Sequence, residues 1–259
     1  MKWIDSILFN GDEIIKLRLE YLYNKVDFFY ICEQRYTYQG TRKDELYIKK
    51  NFNWFTPYLS KIHFIVDEEN IQEGSWDREY RHRNYSTQYI IENHKDEKYI
   101  ISVCDCDEIP DISKIDKTDI YNICNNGALY MKQKLFYYNL NWHLGPWSRA
   151  FFLNNTILEQ ISNVQIWRDE KGPSVGSFEC GWHLSYFMNK ESIIRKIESF
   201  SHTECNSEKY KNIDNVYDCI KNGKFLFKDM MAVTITKYTE KDFPPEFYKF
   251  NDHIISLQE

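Results

Sequence analysis

The chain has 259 residues, 42% hydrophobic and 28% charged, enough for a large core in one α/β domain or two small ones. A formal net charge of −6, with acidic and basic residues interleaved, offers no basic field for nucleic acid. No apolar run approaches the ~20 residues of a membrane helix, and "MKWIDSILFNGDE" lacks the basic start and apolar core of a signal peptide.

A soluble chain is therefore expected. The seven cysteines, an odd number without a paired framework, point to a reducing, cytoplasmic setting.

In chain order, "DSILF" reads as a short strand. "DEIIKLRLEYLYNK" carries apolar residues at helical spacing behind Asp12, a candidate cap. "VDFFYIC" and "ISKIHFIVD" read as strands, "WDREYRHRNYSTQYIIENH" as a helix and "KYIISVC" as the next strand. This alternation predicts an α/β fold with a mostly parallel central sheet flanked by helices. The second half is less regular: strands at "ALYMKQKLFYYNLNW" and "GSFECGWHLSYF", then helical patterns at "KESIIRKIESF" and "EKYKNIDNVYDCIKNG". Neither a repeat nor a low-complexity linker divides residues 1–259, so a single domain is expected.

The strand "YIISVCDCDEIP" ends in three carboxylates, and charges are rarely buried unless paired or bound to metal. In a strand, Asp105 and Asp107 share one face and Cys104 and Cys106 the other, so the cysteines pack and the aspartates meet the cleft. Hard oxygen ligands at a strand end suit Mg²⁺ or Mn²⁺ shared with a diphosphate. Two other chemistries compete. A strand ending in Asp-x-Asp also opens dehalogenase-type phosphatases, although here about a hundred residues precede it. Zinc could use Cys104, Cys106, Cys180 and His183, since "CGWH" has Cys-x-x-His spacing, but a strand explains those cysteines as packing.

"LFNGDEIIKLRLEYLYNKVDFFYICEQRYTYQG", "WDREYRHRN", "SVCDCDEIP", "YNLNW", "CGWHLSYF" and "SFSHTE" occur in the order found in glycosyltransferase family 17. The chain resembles that family, which includes β-1,4-mannosyl-glycoprotein 4-β-N-acetylglucosaminyltransferases, over roughly residues 5 to 205. The resemblance implies a GT-A nucleotide-diphospho-sugar transferase fold and an inverting, metal-dependent transfer from UDP-N-acetylglucosamine to a glycan acceptor. The nucleotide-binding half would be about residues 1–110 and the acceptor half about 111–259. Animal members are Golgi membrane proteins, whereas no anchor is seen here. A relative that only binds glycans or nucleotide sugars would lose the acidic residues, all of which are present.

The resemblance gives Asp105, Asp107 and His183 to Mn²⁺ or Mg²⁺, with Asp105 also at the donor. Glu108 either binds a metal water or sugar hydroxyl or caps the turn before Pro110. Glu33 ends the second strand, where this fold binds the base or ribose. Glu79 and Arg83 stand four apart on one helix face: a surface ion pair on the plain reading, a donor-phosphate contact on the family's. Trp76 is expected in the core more than on a ligand. If "SFECGWHLSYF" is a strand, Glu179, Gly181 and His183 share a face, with Glu179 about 13 Å from His183 at ~3.3 Å per residue. Glu179 then suits the general base, with Asp169 its rival. His183 also has a purely structural reading, and His202 and Glu204 divide between metal contact and support.

Overall fold

The computed structural model describes residues 1–161, 163–230 and 233–259. The expected alternation opens it: β1 (Lys2–Leu8), α1 (Ile15–Leu22), β2 (Phe28–Gln34), a short α2 (Tyr47–Lys50), β3 (Ile62–Asp67), α3 (Ser75–Asn93) and β4 (Tyr99–Asp105). The four strands pair in parallel in the order β3–β2–β1–β4.

Parallel strands covered on both faces are apolar on both. Trp3, Ile7, Phe29, Ile31, Ile100 and Cys104 pack with Ile15, Leu19 and Leu22 of α1 on one face. Ile4, Tyr30, Cys32, Ile101 and Val103 meet Ile90 of α3 on the other. Each fully buried aliphatic or aromatic side chain of this kind contributes about 1.5–3 kcal/mol. In register, Leu8 faces both Cys32 and Asp105, so the carboxyl ends of β1, β2 and β4 finish level. That is where open α/β sheets bind ligands.

Asp12 departs from its expected role. α1 begins behind Ile14 with no side-chain cap, and the Asp12 carboxylate turns to Lys196 instead.

Beyond β4 come β5 (Glu108–Ile109), α4 (Lys117–Ile123), β6 (Ala128–Tyr137), β7 (Trp142–Trp147), β8 (Phe151–Asn154), α5 (Asn155–Gln160), α6 (Gln165–Arg168) and β9 (Ser174–Ser185). β8 lies antiparallel between β4 and β6, and β6 turns directly into β7. β9 runs parallel to β6 and pairs antiparallel with β5, setting His183 opposite Glu108. The α/β class stands, but parallel pairing is concentrated in the first four strands. The β6–β7 turn spans only residues 138–141, and a connection that short can only reverse the strand.

The chain closes with α7 (Lys190–Ser199), α8 (Glu208–Lys211), α9 (Ile213–Asn222), β10 (Thr236–Lys237) and α10 (Pro245–Gln258). Helix α9 is separate from α8 because Asn212 caps it, accepting from Asn215 N, and Gly223 ends it at φ +59°. A third core cluster joins Tyr137, Tyr138 and Tyr186 to Ile193, Ile197, Val216 and Ile220 of α7 and α9. No helix among the described residues is long and apolar enough to cross a membrane.

Candidate active site

Strand β4 ends at Asp105, Cys106 and Asp107 form a turn, and β5 starts at Glu108. Cys104 and Cys106 are buried in the core beneath, as their alternation with the aspartates implies. All seven cysteines are free and buried. Glu108 is fully buried and ties the turn: Oε2 accepts from the Asp105 amide at 2.7 Å and from Arg168 Nη1 at 2.8 Å, while Oε1 accepts from Trp147 Nε1 at 2.5 Å. Of its two expected roles, capping is the one its oxygens perform.

Under the turn lies a buried ion pair. Arg18 binds Asp5 through two contacts of 2.7 and 2.8 Å, with neither side chain exposed. Its remaining reach goes to the turn's backbone, the carbonyls of Asp105 at 3.3 Å and Glu108 at 2.5 Å. Asp5 also accepts from Ser102 Oγ at 2.7 Å, and Ser102 from Trp3 Nε1 at 2.8 Å. Buried polar groups need such partners, and here the partners fix the shape of the loop that carries the aspartates.

The two aspartates face different cations. Asp105 Oδ1 accepts from Arg83 Nη2 at 3.0 Å, and its Oδ2 pairs with Arg168. Burial raises the Asp105 pKa, but Arg168 and Arg83 outweigh it and hold the carboxyl below its ordinary value. Arg83 is itself buried, held by Glu79 at 3.1 Å and by Gln165 Oε1, and Ser201 Oγ donates to Glu79. The i, i+4 pair on α3 is therefore an interior one. Asp107 is also buried; Lys196 Nζ lies 3.0 Å from its Oδ2 and His183 Nε2 3.5 Å from its Oδ1. Here too burial pushes the pKa up, and Lys196 first, then the hydrogen-bonding His183, bring it well below the carboxylate range.

No three metal-ligating side chains converge among the described residues, so Asp105, Asp107 and His183 do not form one closed cage. Asp107 and His183 do stand together, and His183 Nδ1 is buried without a hydrogen-bond partner. The nitrogen that faces the carboxylate is Nε2, with Nδ1 on the far side of the ring, so the pair to weigh is Asp107 Oδ1 with Nε2. A hard oxygen and an imidazole nitrogen are the donor chemistry of a divalent cation shared with a diphosphate, which takes only one or two protein ligands. Asp105 has both oxygens on arginines.

The other expected residues scatter more widely. Glu33 is fully buried, accepting from Lys43 Nζ at 3.0 Å and from the amides of Tyr47 and Ile48 at 2.8 Å each. These bonds anchor the start of α2 and leave no face of the carboxylate toward a nucleotide. Glu179 is exposed on β9, opposite Lys132. Between Glu179 and Trp182, β9 gains one residue on β6, and Gly181 takes φ +95° where a Cβ would sit 2.1 Å from the Ile109 carbonyl oxygen. The extra residue breaks both the uniform rise and the alternation expected here: Glu179 pairs with Lys132 and His183 with Leu135, three positions on, so the two do not share the expected face. Asp169 ends α6, accepting at 2.8 Å from the same Gln165 that binds Arg83. Trp76 is 40% exposed, contrary to the core position expected, and meets the ring of His202 edge-on at 4.7 Å; His202 Nδ1 lies 2.7 Å from Glu204.

Compared with known families, the profile described as glycosyltransferase family 17 matches residues 1–251. The chain belongs to glycosyltransferase family 17. No curated protein matches it in sequence. Among solved structures it is similar to a mannosyltransferase from Pyrobaculum calidifontis in complex with GDP-Man and Mn²⁺, at 8% identity and TM-score 0.43, over 99% of this chain and 69% of that one. It is also similar to a protein from Bacillus anthracis described as a glucose-1-phosphate thymidylyltransferase in complex with sucrose, at 7% identity and TM-score 0.40, over 70% and 87%.

As a family 17 glycosyltransferase, the chain is a glycosyl-transferring enzyme, which excludes the phosphatase reading. Four residues of its site escaped the sequence: Asp12, Arg18, Arg168 and Lys196. Arg168 adjoins Asp169, a residue already singled out, and Asp12 was singled out itself, but as a helix cap. Lys196 carried no signal, since a lysine in an amphipathic helix reads as solvated surface.

Proposed function

We propose that this glycosyltransferase takes its sugar from a UDP-activated donor, UDP-N-acetylglucosamine above all, and transfers it to a glycan hydroxyl with inversion. The observation that carries the reading is the Asp105–Glu108 turn. It presents two ionised, separately neutralised carboxylates at the level ends of β1, β2 and β4, in a chain of this family. The seven free cysteines support a reducing, cytoplasmic location.

Asp107 and His183 would hold Mn²⁺ or Mg²⁺, which when bound supplies positive charge to the leaving diphosphate. Lys196 offers a second cation on the same carboxylate. Asp105, fixed between Arg83 and Arg168, orients the donor as an ionised acceptor of hydrogen bonds. Inverting transfer also needs a base on the acceptor hydroxyl, opposite the leaving group and clear of the metal. Glu179, exposed on β9 across from Lys132 and in no ion pair among the described residues, is our assignment, and Asp169 its rival.

The test is direct. The protein is incubated with UDP-sugars, GDP-mannose and Mn²⁺, nucleotide release is followed, and the anomeric configuration of any product is read by NMR. UDP release with a product of inverted configuration is expected. Release from GDP-mannose alone removes the uridine donor, and no release from any donor leaves a binding protein.

A further inference from the structure

Beside the turn, a cavity of about 180 Å³ opens between Gly11–Glu13, the stretch from Tyr47 to Trp54, and the first turns of α7. The cavity is open to solvent and has room for a pyranose ring.

The charges around it do not balance. Asp12 is taken by Lys196 at 3.0 Å, and Glu13 by Lys16 at 2.9 Å and His253 at 3.0 Å. Lys50 and Arg195 line the same space and form no ion pair among the described residues. Arg195 instead donates to the Gly11 carbonyl at 3.2 Å and lies over the Tyr47 ring at 5.1 Å, which fixes the guanidinium at the wall. A fixed guanidinium and a second, exposed cation beside a concave space attract an anion. Asn51 and Ser192 add neutral hydrogen-bonding groups and Trp54 an aromatic surface, the usual means of holding a sugar ring. Gly11, at φ +85°, packs directly against Tyr47, whose ring a Cβ there would strike at 2.7 Å.

We propose that this cavity binds an anionic sugar, a pyranose bearing a carboxylate or a phosphate, as a unit of the acceptor. Asp12 links it to the reacting site, because Lys196 bridges Asp12 and Asp107. That the ligand is an acceptor sugar rests on the glycosyl-transfer reading above; its preference for an anion does not.

Binding is measured calorimetrically on the full chain without nucleotide or metal, using methyl β-D-glucuronide, glucose 6-phosphate, neutral methyl β-D-glucoside and inorganic phosphate. The charged sugars should bind at least about tenfold more tightly than the neutral one, the loss of one charge-assisted contact. The tighter of the two assigns the anion. Lys50→Gln, at an exposed position, and Arg195→Gln should each weaken that binding about tenfold and leave UDP–Mn²⁺ binding unchanged. Equal binding of the neutral glucoside, no effect of either variant, inorganic phosphate binding as tightly as the sugars, or displacement by UDP would each overturn the proposal. Charged sugars bound by a chain that transfers nothing would keep the anion site and remove the function instead.

Discussion

Lys196 Nζ stands 3.0 Å from Asp107 Oδ2 and uses the same ammonium to reach Asp12 Oδ2 at 3.0 Å. One cation thus neutralises two carboxylates, one following β1 and one following β4. Removing it leaves Asp107 buried beside His183 alone, and an uncompensated buried charge costs about 3–5 kcal/mol. Lys196→Ala should therefore lower the melting temperature. Mn²⁺ should then raise the variant's melting temperature by more than the wild type's, because it supplies the missing charge. Differential scanning fluorimetry decides; equal shifts would mean that the lysine and the ion do not share a carboxylate.

The aspartates should separate in function as they do in their partners. Asp107→Asn is expected to abolish transfer and Mn²⁺-dependent UDP binding. Asp105→Asn should keep Mn²⁺ affinity, because Asp105 is committed to Arg83 and Arg168, and lose donor affinity. Cys106→Val should leave both intact, since the thiol packs in the core. Titrations of Mn²⁺ and UDP on the three variants give the answer, and loss of metal in Cys106→Val would bring back a thiolate site.

Arg18 positions the loop without meeting the reactants. Asp5→Leu with Arg18→Met removes both buried charges together and should recover most of the stability that Arg18→Met alone loses. Activity should stay low in the double variant, because the carbonyls of Asp105 and Glu108 would still lack their donor. Chemical denaturation and turnover are compared; if activity returns with stability, Arg18 serves only the core.

For the base, Glu179→Gln should slow turnover by roughly 10²–10⁴-fold with UDP–Mn²⁺ affinity unchanged. His183→Ala should weaken affinity itself. Near wild-type turnover in Glu179→Gln, with the loss appearing in Asp169→Asn, would transfer the role.

Acid stability should carry the signature of His82. Burial holds its imidazole neutral, with a pKa lowered to about 3 from 6.5, and Lys43 adds to the effect. The ring donates Nε2–H to the Cys32 carbonyl at 2.9 Å, so Nδ1 accepts from Tyr38 at 2.8 Å. The unfolded chain takes up a proton near pH 6.5 and the folded one near 3, so between these values the unfolded state binds more protons and stability falls as pH falls. The slope is about 1.4 kcal/mol per pH unit. The lowered carboxylates Asp105 and Asp107 lose their contribution only as pH falls through 3.8 and below, under the pH 5 to 7 interval in which His82 is tested. Urea denaturation at pH 7 and pH 5 should show a loss that His82→Gln largely removes; an unchanged loss in the variant would assign it elsewhere.

The sequence by itself determined the local elements and the family. Apolar periodicity placed β1 to β4, α1 and α3, because a strand or helix must show its buried face in its own residue spacing. The alternation at Cys104–Asp107 anticipated that the thiols pack, but β4 ends at Asp105 and Asp107 lies in a turn, so the two aspartates meet different partners and not one strand face. The extent of parallel pairing, the interior position of Arg83 and the capping duties of Glu33 and Glu108 were decided only by tertiary structure. The same is true of the joining of Asp12 and Asp107 through Lys196, residues up to 184 positions apart. A charge carries no mark of its partner in the sequence. Whether a lysine is solvated or buried between two carboxylates depends on which distant segments the sheet brings to one edge, and that is a property of the assembled fold.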